Sequence, residues 1–474
     1  MTESSKLPLV VDLDGTLIRS DLLIESFLLL IKQNPLNLFW VFVWLLKGKA
    51  HLKSEIAKRV DMLVELLPYN MELIDYLQLQ KANGREIILA TASHQRYAHA
   101  VAQHLGVFDD VLASDEMRNL SGSVKRAALT ERYGEKNYVY AGNAAVDLKV
   151  WTHCHQAIVV AGEDLVNRAE KLCPIELHLK PTKPGLKVVL KALRVHQWVK
   201  NALIFVPLLT SHQITNVGYL IDGLLAFLAF SFCASSVYFL NDMLDLNDDR
   251  RHATKRNRPF AAGTLSLLFG LFGTPILLIV SALITLQLPS QFALVLGIYY
   301  IMTVAYSFSL KRMVMIDAIT LAALYTIRIV AGAAAVAVTL SFWLLSFAVF
   351  VFLSLAIVKR YTELMKLREK SVRKALGRGY QVEDLELLSS LGGSAGYISV
   401  LVLALYINSP DVKALYTHPE LMWPACMVML YWVSRIWIIA HRGNMDDDPI
   451  VFALKDKISV VCGGLIGLFM MLAV

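Results

Sequence analysis

Beyond about Lys200 the chain is built from apolar runs as long as a bilayer is thick, and this constrains the fold more than any other feature. The candidate spans are 199–212, 218–240, 264–286, 291–309, 316–336, 342–358, 391–408, 421–440 and 456–474, of which the first is the shortest. A helix of about 20 mostly apolar residues crosses the hydrocarbon core. No water is available there, so every backbone polar group must be satisfied within its own helix. This part therefore reads as an all-α multi-pass membrane bundle of about nine transmembrane helices. Composition agrees: 56% of residues are hydrophobic and 18% are charged, against roughly a quarter charged in a soluble domain.

Loop charge orients the bundle. With the N-terminus inside, the inner loops near 241–263, 310–315, 359–390 and 441–455 carry nearly all the Lys and Arg. The outer loops near 213–217, 287–290, 337–341 and 409–420 hold only Lys413. Positive loops stay on the cytoplasmic side, so the expectation is a bacterial inner (cytoplasmic) membrane protein whose N-terminal region is cytosolic. The opening MTESSKLPLVVDLDGT has no signal-peptide pattern. The net charge of +7 is a topology signal. Nothing pairs a basic face with groove-reading or stacking groups, so nucleic acid is not an expected partner. Cys154, Cys173, Cys233, Cys426 and Cys462 show no disulfide or zinc spacing.

The first part alternates strand and helix. LPLVVDLD at 7–14, EIILATAS at 86–93, NYVYAG at 137–142 and QAIVVA at 156–161 read as buried strands. Such alternation implies a parallel α/β sheet with chemistry at the carboxyl ends of its strands. Residues 22–46 are very apolar but are split by Lys32 and by the Asn-Pro-Leu-Asn break at 34–37. They read as a helical insert that packs on the sheet or leans on the membrane. The proline- and lysine-rich stretch that follows the α/β region suits a linker. The expected domains are 1–173, a linker at 174–189, and a membrane domain at 190–474.

Strand ends carry the candidate chemistry. Asp12 and Asp14 end the first strand in VVDLDGTL, where one carboxylate can attack and the other can move a proton. Thr91 ends the second strand, Lys125 lies in GSVKRAAL, and Asp147 lies in AGNAAVDLKVW. In this order, the motifs over about 7–165 resemble the haloacid dehalogenase (HAD) superfamily of phosphatases. The resemblance implies a Rossmannoid domain with Asp12 as phosphoryl acceptor and Asp14 as general acid/base. It implies Thr91 and Lys125 on the phosphoryl oxygens, and a Mg²⁺ site from Asp12, Asp14, Asn143 and Asp147. The family's fourth motif is commonly Gly-Asp-x-x-x-Asp, and here Asn143 stands at the first Asp. A catalytically silent scaffold is the alternative for this domain.

The stretch FLNDMLDLNDDRRHATKRNRPF at 239–260 places acids at the mouth of an apolar run. Asp242, Asp245 and Asp249 are three and seven residues apart, so a helix would bring them to one face. Carboxylates so grouped repel unless a cation joins them, and Mg²⁺ favours such oxygen ligands beside a phosphate. The cations that follow, Arg250, Lys255, Arg256 and Arg258, suit the remaining phosphate oxygens. NDxxDxxxD with KRNRP, and HQWVKN near 196, resemble the UbiA superfamily of intramembrane prenyltransferases over about 190–474. That resemblance implies Mg²⁺-diphosphate on Asn241, Asp242, Asp245 and Asp249.

The usual second motif, DxxxD, is absent. Asp317 is present but Leu321 stands four residues on, and Tyr306, Lys311 and Asp317 form YxxxxKxxxxxD instead. This form, with AIVKRYTEL, GRGY at 377–380 and RGNMDDDPIVFALKD, resembles the decaprenyl-phosphate phosphoribosyltransferase branch. The branch implies transfer of 5-phosphoribose from phosphoribosyl diphosphate (PRPP) to a polyprenyl phosphate, with Lys311, Arg328 or Lys200 on the lipid phosphate. The HAD domain could then remove the 5-phosphate. Arg328, Lys359 and Arg360 are equally readable as snorkelling cations. Asp446, Asp447 and Asp448 read more readily as a solvated loop than as a metal site. The open alternative is aromatic prenyl transfer from a prenyl diphosphate. A homo-oligomer is left open.

Overall fold

The structure, a computed structural model, describes residues 7–181, 183–369, 371–373, 378–410, 412, 416–446 and 448–473. The expectations placed on Gly377, Lys413 and Asp447 lie outside these residues. The chain packs as two compact units. One holds residues up to Leu193 together with Phe239–Gly273, and the other holds Arg194–Tyr238 together with Thr274 onward. The acidic stretch therefore packs with the N-terminal region, although by sequence it follows a membrane span.

The first unit is built on a parallel sheet of β1 (Leu9–Val11), β2 (Ile87–His94), β3 (Asp110–Ser114), β4 (Val139–Gly142), β5 (Gln156–Val159) and β6 (Ile175–His178). Their order is β3-β2-β1-β4-β5-β6. Side chains alternate across a strand, and both faces are covered. Leu9, Val11, Ile87, Leu89, Val139 and Ala141 enter one core. Val10, Ile88, Ala90, Tyr138, Tyr140 and Trp151 enter the other. A sheet buried on both faces requires near-continuous apolar strands, as β1 and β2 are. The strand order reverses between β1 and β4, which opens a crevice at their carboxyl ends.

β3 and β6 are not among the strands expected from sequence. Residues 175–178, read as linker, form an edge strand instead. Glu176 on it pairs with the buried Arg85 at 2.5 and 3.1 Å, which fastens the strand to the domain.

Between β1 and β2 lies the insert: α1 (Leu22–Gln33), α2 (Asn37–Leu46) and α3 (Lys49–Ala57). Asp21 caps α1 by accepting from the Ile24 N–H at 3.0 Å. Pro35 ends it, since the residue before a proline is pushed out of the helical region. Leu30, Trp44, Leu52, Ile56 and Val60 make a small core of their own. The rest of α2 is exposed: Phe39 is 68%, Phe42 64% and Leu46 89% accessible.

The second unit is helical. Among the described residues, seven helices of the chain are long and apolar enough to cross a membrane. They are Val217–Leu244, Leu267–Thr285, Ser290–Phe308, Ile316–Ala335, Phe342–Glu369, Val382–Ile407 and Pro419–His441. Pro449–Lys455 and Lys457–Ala473 meet at 80° and make an eighth if counted as one span. The expected nine are thus not reproduced. The difference is 199–212, which forms the 3-10 helix Val195–Phe205 and the short α-helix Val206–Thr210. Small residues let these elements approach closely. A Cβ on Gly332 would lie 1.9 Å from the Ile204 carbonyl oxygen, and one on Gly392 would lie 2.2 Å from Trp437.

Candidate functional site

The crevice of the sheet gathers the phosphatase candidates. Asp12 follows β1, Thr91 lies in β2, and Asp147 lies in a 3-10 turn after β4. Lys125, from the helix Ser123–Tyr133, is buried and donates to Asp12 Oδ1 at 2.7 Å and to the Tyr140 hydroxyl at 2.9 Å. Tyr140 donates onward to Asp147 Oδ1 at 3.0 Å. The other Asp147 oxygen accepts the N–H groups of Asn143 and Ala144 at 3.0 and 2.9 Å. Burial pushes the Asp12 carboxyl up, Lys125 opposes that, and Asp147 adds to it. Two carboxylates joined through one lysine and one phenol suit an anion-transfer centre.

Asp14 points elsewhere. Its oxygens accept from the Leu22 N–H at 2.8 Å and the Ser93 hydroxyl at 2.6 Å. Burial, then the nearby Asp21, pushes its carboxyl up to about 7, against those hydrogen bonds. A carboxyl poised there is partly protonated near neutral pH, the range in which a general acid works. The Asn143 carboxamide oxygen accepts from the Thr16 hydroxyl at 3.1 Å, and its amide lies where a Cβ on Gly15 would be. The buried Thr91 accepts from the Ser93 N–H at 3.0 Å.

The acidic stretch forms a second centre within the same unit. The helix Val217–Leu244 ends just before Asp245, and Leu246–Arg251 is a short helix after it. Arg258 Nη1 lies 3.1 Å from Asp242 Oδ1 and 2.7 Å from Asp249 Oδ2. Two nearly buried carboxylates thus converge on one cationic group. Burial pushes Asp249 up to about 6 although Arg258 opposes it, and the neighbouring Asp242 adds to the rise. An all-oxygen pair that shares a cation fits Mg²⁺, which binds through one or two carboxylates plus waters and substrate phosphates. Among the described residues no group of three or more His, Cys, Asp or Glu side chains is close enough to hold a metal.

Asp245 is drawn to a different cation. Lys32 Nζ, from the end of α1, lies 3.0 Å from Asp245 Oδ1 and 2.7 Å from Asp248 Oδ2. Arg250, expected on phosphate, instead has both terminal nitrogens on Glu25 of α1, at 2.8 and 2.6 Å. Its Nε donates to the Ala261 carbonyl at 3.0 Å. Asn241 accepts from the Asp245 N–H at 2.9 Å through its carbonyl. Lys255 is half-buried and Arg256 exposed.

In the helical unit, Asp317 is fully buried and fastened by arginines. Arg360 Nε lies 2.5 Å and Arg378 Nη1 3.2 Å from it, and Tyr306 donates to it at 2.7 Å. Glu363 completes the cluster, with Arg360 at 2.5 Å and Arg378 at 3.2 Å. Lys311 is half-buried in the turn Leu310–Arg312. Arg328 is enclosed rather than snorkelling. Its Nε donates to Asn201 at 2.9 Å, and its guanidinium stacks near Phe230, Tyr299 and Tyr325 at 5.2–5.6 Å. Asp448 corrects the solvated-loop reading. It is nearly buried and holds both Lys200 and, at 3.3 Å, Lys359. Burial alone would raise its carboxyl, but Lys359 and Lys200 hold it below the usual carboxylate range.

A UbiA prenyltransferase family model matches residues 204–452. The chain belongs to the UbiA prenyltransferase family. A haloacid dehalogenase-like hydrolase model matches residues 9–173, so the UbiA part is fused to a HAD-like domain. An uncharacterised protein of Sinorhizobium fredii, y4nM, is 37% identical over 97% of this chain and 90% of its own length. The decaprenyl-phosphate phosphoribosyltransferase of Mycobacterium tuberculosis is 36% identical over 57% of this chain and 88% of its own. A UbiA homologue from Archaeoglobus fulgidus bound to GPP and Mg²⁺ superposes with a TM-score of 0.46 at 15% identity, covering 60% of this chain and 99% of that one.

In this UbiA-family chain the clusters also include residues that sequence reasoning did not assign to a site. Ser93, Tyr140, Lys32 and Glu25 lacked a motif to mark them, and Ser93, Lys32 and Glu25 meet partners far away in sequence. Arg378 could have been suspected beside GRGY. The pairing of Glu363 with a neighbouring arginine was legible from its i, i+3 spacing to Arg360.

Proposed function

We propose that the protein transfers 5-phosphoribose from PRPP to a polyprenyl phosphate at the cytosolic face of a bacterial inner membrane. We propose too that its HAD-like domain then removes the 5-phosphate. The observation that carries the first step is the state of Asp317. In place of a second acidic pair, this carboxylate is neutralised by Arg360 and Arg378. With Glu363 also paired to both arginines, these carboxylates are occupied by guanidinium groups, which favours anionic substrates over a second metal–diphosphate. The likeness to decaprenyl-phosphate phosphoribosyltransferases supports the same reading.

In this reading Asp242 and Asp249 would hold Mg²⁺, whose charge would favour departure of the diphosphate. Arg258 moves from the carboxylates to the diphosphate oxygens. A lipid phosphate oxygen attacks the anomeric carbon as the carbon–diphosphate bond breaks. The phosphate is already ionised, so no strong base is needed. Lys200, Lys311 and Lys359 are the cations assigned to the lipid phosphate. In the second step Asp12 attacks phosphorus, Asp14 donates its proton to the departing ribose oxygen, and water hydrolyses the acyl phosphate. Lys125 holds Asp12 in line, and Thr91 is assigned to the phosphoryl oxygens.

The test is the mass of the lipid formed from PRPP and polyprenyl phosphate by the purified chain with Mg²⁺. Polyprenyl-phosphoryl-ribose is expected from the native chain and its 5-phosphate from Asp12→Asn. Turnover with a prenyl diphosphate and an aromatic acid, but none with PRPP, would replace this reading with aromatic prenyl transfer.

A further inference from the structure

α2 has no charged residue in NLFWVFVWLL, and it is too short to span. Such a helix is normally a core element or an interfacial one. It is not a core element, because only Trp44 is buried, whereas Phe39, Trp40, Phe42 and Leu46 are 52–89% accessible. Its position follows from its neighbours. Lys32, in the last turn of α1, is fastened to Asp245 and Asp248, directly after the apolar span Val217–Leu244. The buried Glu25–Arg250 pair fixes the same helix to the same segment. The start of α2 is thereby held close to the end of an apolar helix long enough to cross a membrane. Cations flank its far end: Lys47 and Lys49 follow it, and the Arg59 guanidinium lies 4.6 Å from the Trp44 ring. Apolar and aromatic side chains bordered by cations are the pattern of a helix lying in the headgroup region.

The insert also reaches the phosphatase centre. The Leu22 N–H at the start of α1 donates to Asp14. From α3, Lys53 Nζ donates to the Ala92 carbonyl at 2.6 Å and to Asn119 Oδ1 at 2.8 Å, within electrostatic range of Asp14 and Asp21. One short insert therefore carries an unpartnered apolar helix, a tie to a span's end, and a lysine beside the general acid.

We propose that α2 is seated in the bilayer interface and holds the Asp12–Asp14 centre at the membrane surface, so that this centre takes a phosphomonoester carried on a lipid. The substrate half of this proposal rests on the phosphatase reading above; the seating of α2 does not. Water cleaves the P–O ester bond of that phosphomonoester, releasing inorganic phosphate and leaving a hydroxyl on the lipid-borne group.

The test uses the full chain in vesicles of anionic phospholipid. All five native cysteines are buried, so an introduced surface cysteine can be spin-labelled selectively. A label at Phe42→Cys is expected to relax with oxygen and not with a water-soluble nickel chelate. A label at Met117→Cys, 95% accessible on the same unit, is expected to do the reverse. Equal nickel accessibility at both sites overturns the seating. In the second arm, Phe39→Glu with Phe42→Glu should lower hydrolysis of phosphatidic acid in the vesicles at least tenfold, while hydrolysis of soluble ribose 5-phosphate, which also reports folding, stays unchanged. A fall on both substrates, or on neither, overturns the lipid-borne substrate. If the native chain hydrolyses neither, the phosphatase reading and the substrate claim fall together, and the spin labels still decide the seating of α2.

Discussion

Glu25 and Arg250 offer a quantitative test of how the insert is held. Their side chains are 1% and 5% accessible, and the contact is bidentate at 2.6 and 2.8 Å. Removing one member strands the other charge with almost no water, which costs about 3–5 kcal/mol. The unit contains about 230 residues, a size at which 1 kcal/mol moves the midpoint by about 2–4 °C. Glu25→Gln or Arg250→Met alone should therefore lower the first thermal transition of the purified chain by about 6–12 °C at least. Glu25→Leu with Arg250→Met strands no charge and should recover most of that loss, so the two changes are strongly non-additive. Calorimetry in detergent on the four proteins closes the cycle. Single variants within about 0.5 kcal/mol of native, or a double variant as unstable as the sum of the singles, would refute the reasoning. The same double variant separates two roles for Arg250. Retained transferase activity makes it structural, and lost activity in a stable protein returns it to the phosphate.

Gly332→Ala should destabilise the helical unit by about 1–3 kcal/mol through overpacking, because the added methyl meets the Ile204 carbonyl at 1.9 Å. Gly463→Ala, with nothing within 4 Å, should be neutral or raise the detergent melting midpoint slightly. Lys32→Met removes the ammonium 3.0 Å from Asp245. It should tighten Mg²⁺ binding by up to about fivefold, read as a Mg²⁺-dependent thermal shift; weaker binding would count against a metal at the neighbouring Asp242 and Asp249. Asp448 is held below the usual carboxylate range in the folded chain by Lys359 and Lys200. Its contribution is thus present above the unfolded value of about 3.9 and is lost as pH falls below it. Asp448→Asn should melt lower than native at pH 7 and 5, and the gap should shrink below about pH 4.

The inner strands were legible because burial on both faces demands runs such as LVV and IILA. The edge strands β3 and β6 were not, since an edge strand is half-buried and need not look apolar. Membrane spans were legible wherever an α-helix crosses. The 3-10 stretch Val195–Phe205 was not, because its hydrophobic length does not match α-helical geometry. Asp448 is a further limit: an acidic run beside a loop looks solvated until Lys200 and Lys359 are folded onto it.

By itself the sequence determined the two classes of fold, the strand-end acids of the first domain and the acidic stretch of the second. These follow from local rules: apolar length against bilayer thickness, alternation across a sheet, and the spacing of carboxylates. Only the tertiary structure decided which cation each carboxylate meets. Asp242 and Asp249 share Arg258, Asp245 takes Lys32, Arg250 takes Glu25, and Asp317 takes two arginines. Most of these partners lie tens to hundreds of residues apart. A buried charge must find an opposite charge somewhere in its low-dielectric surroundings, and packing alone determines where.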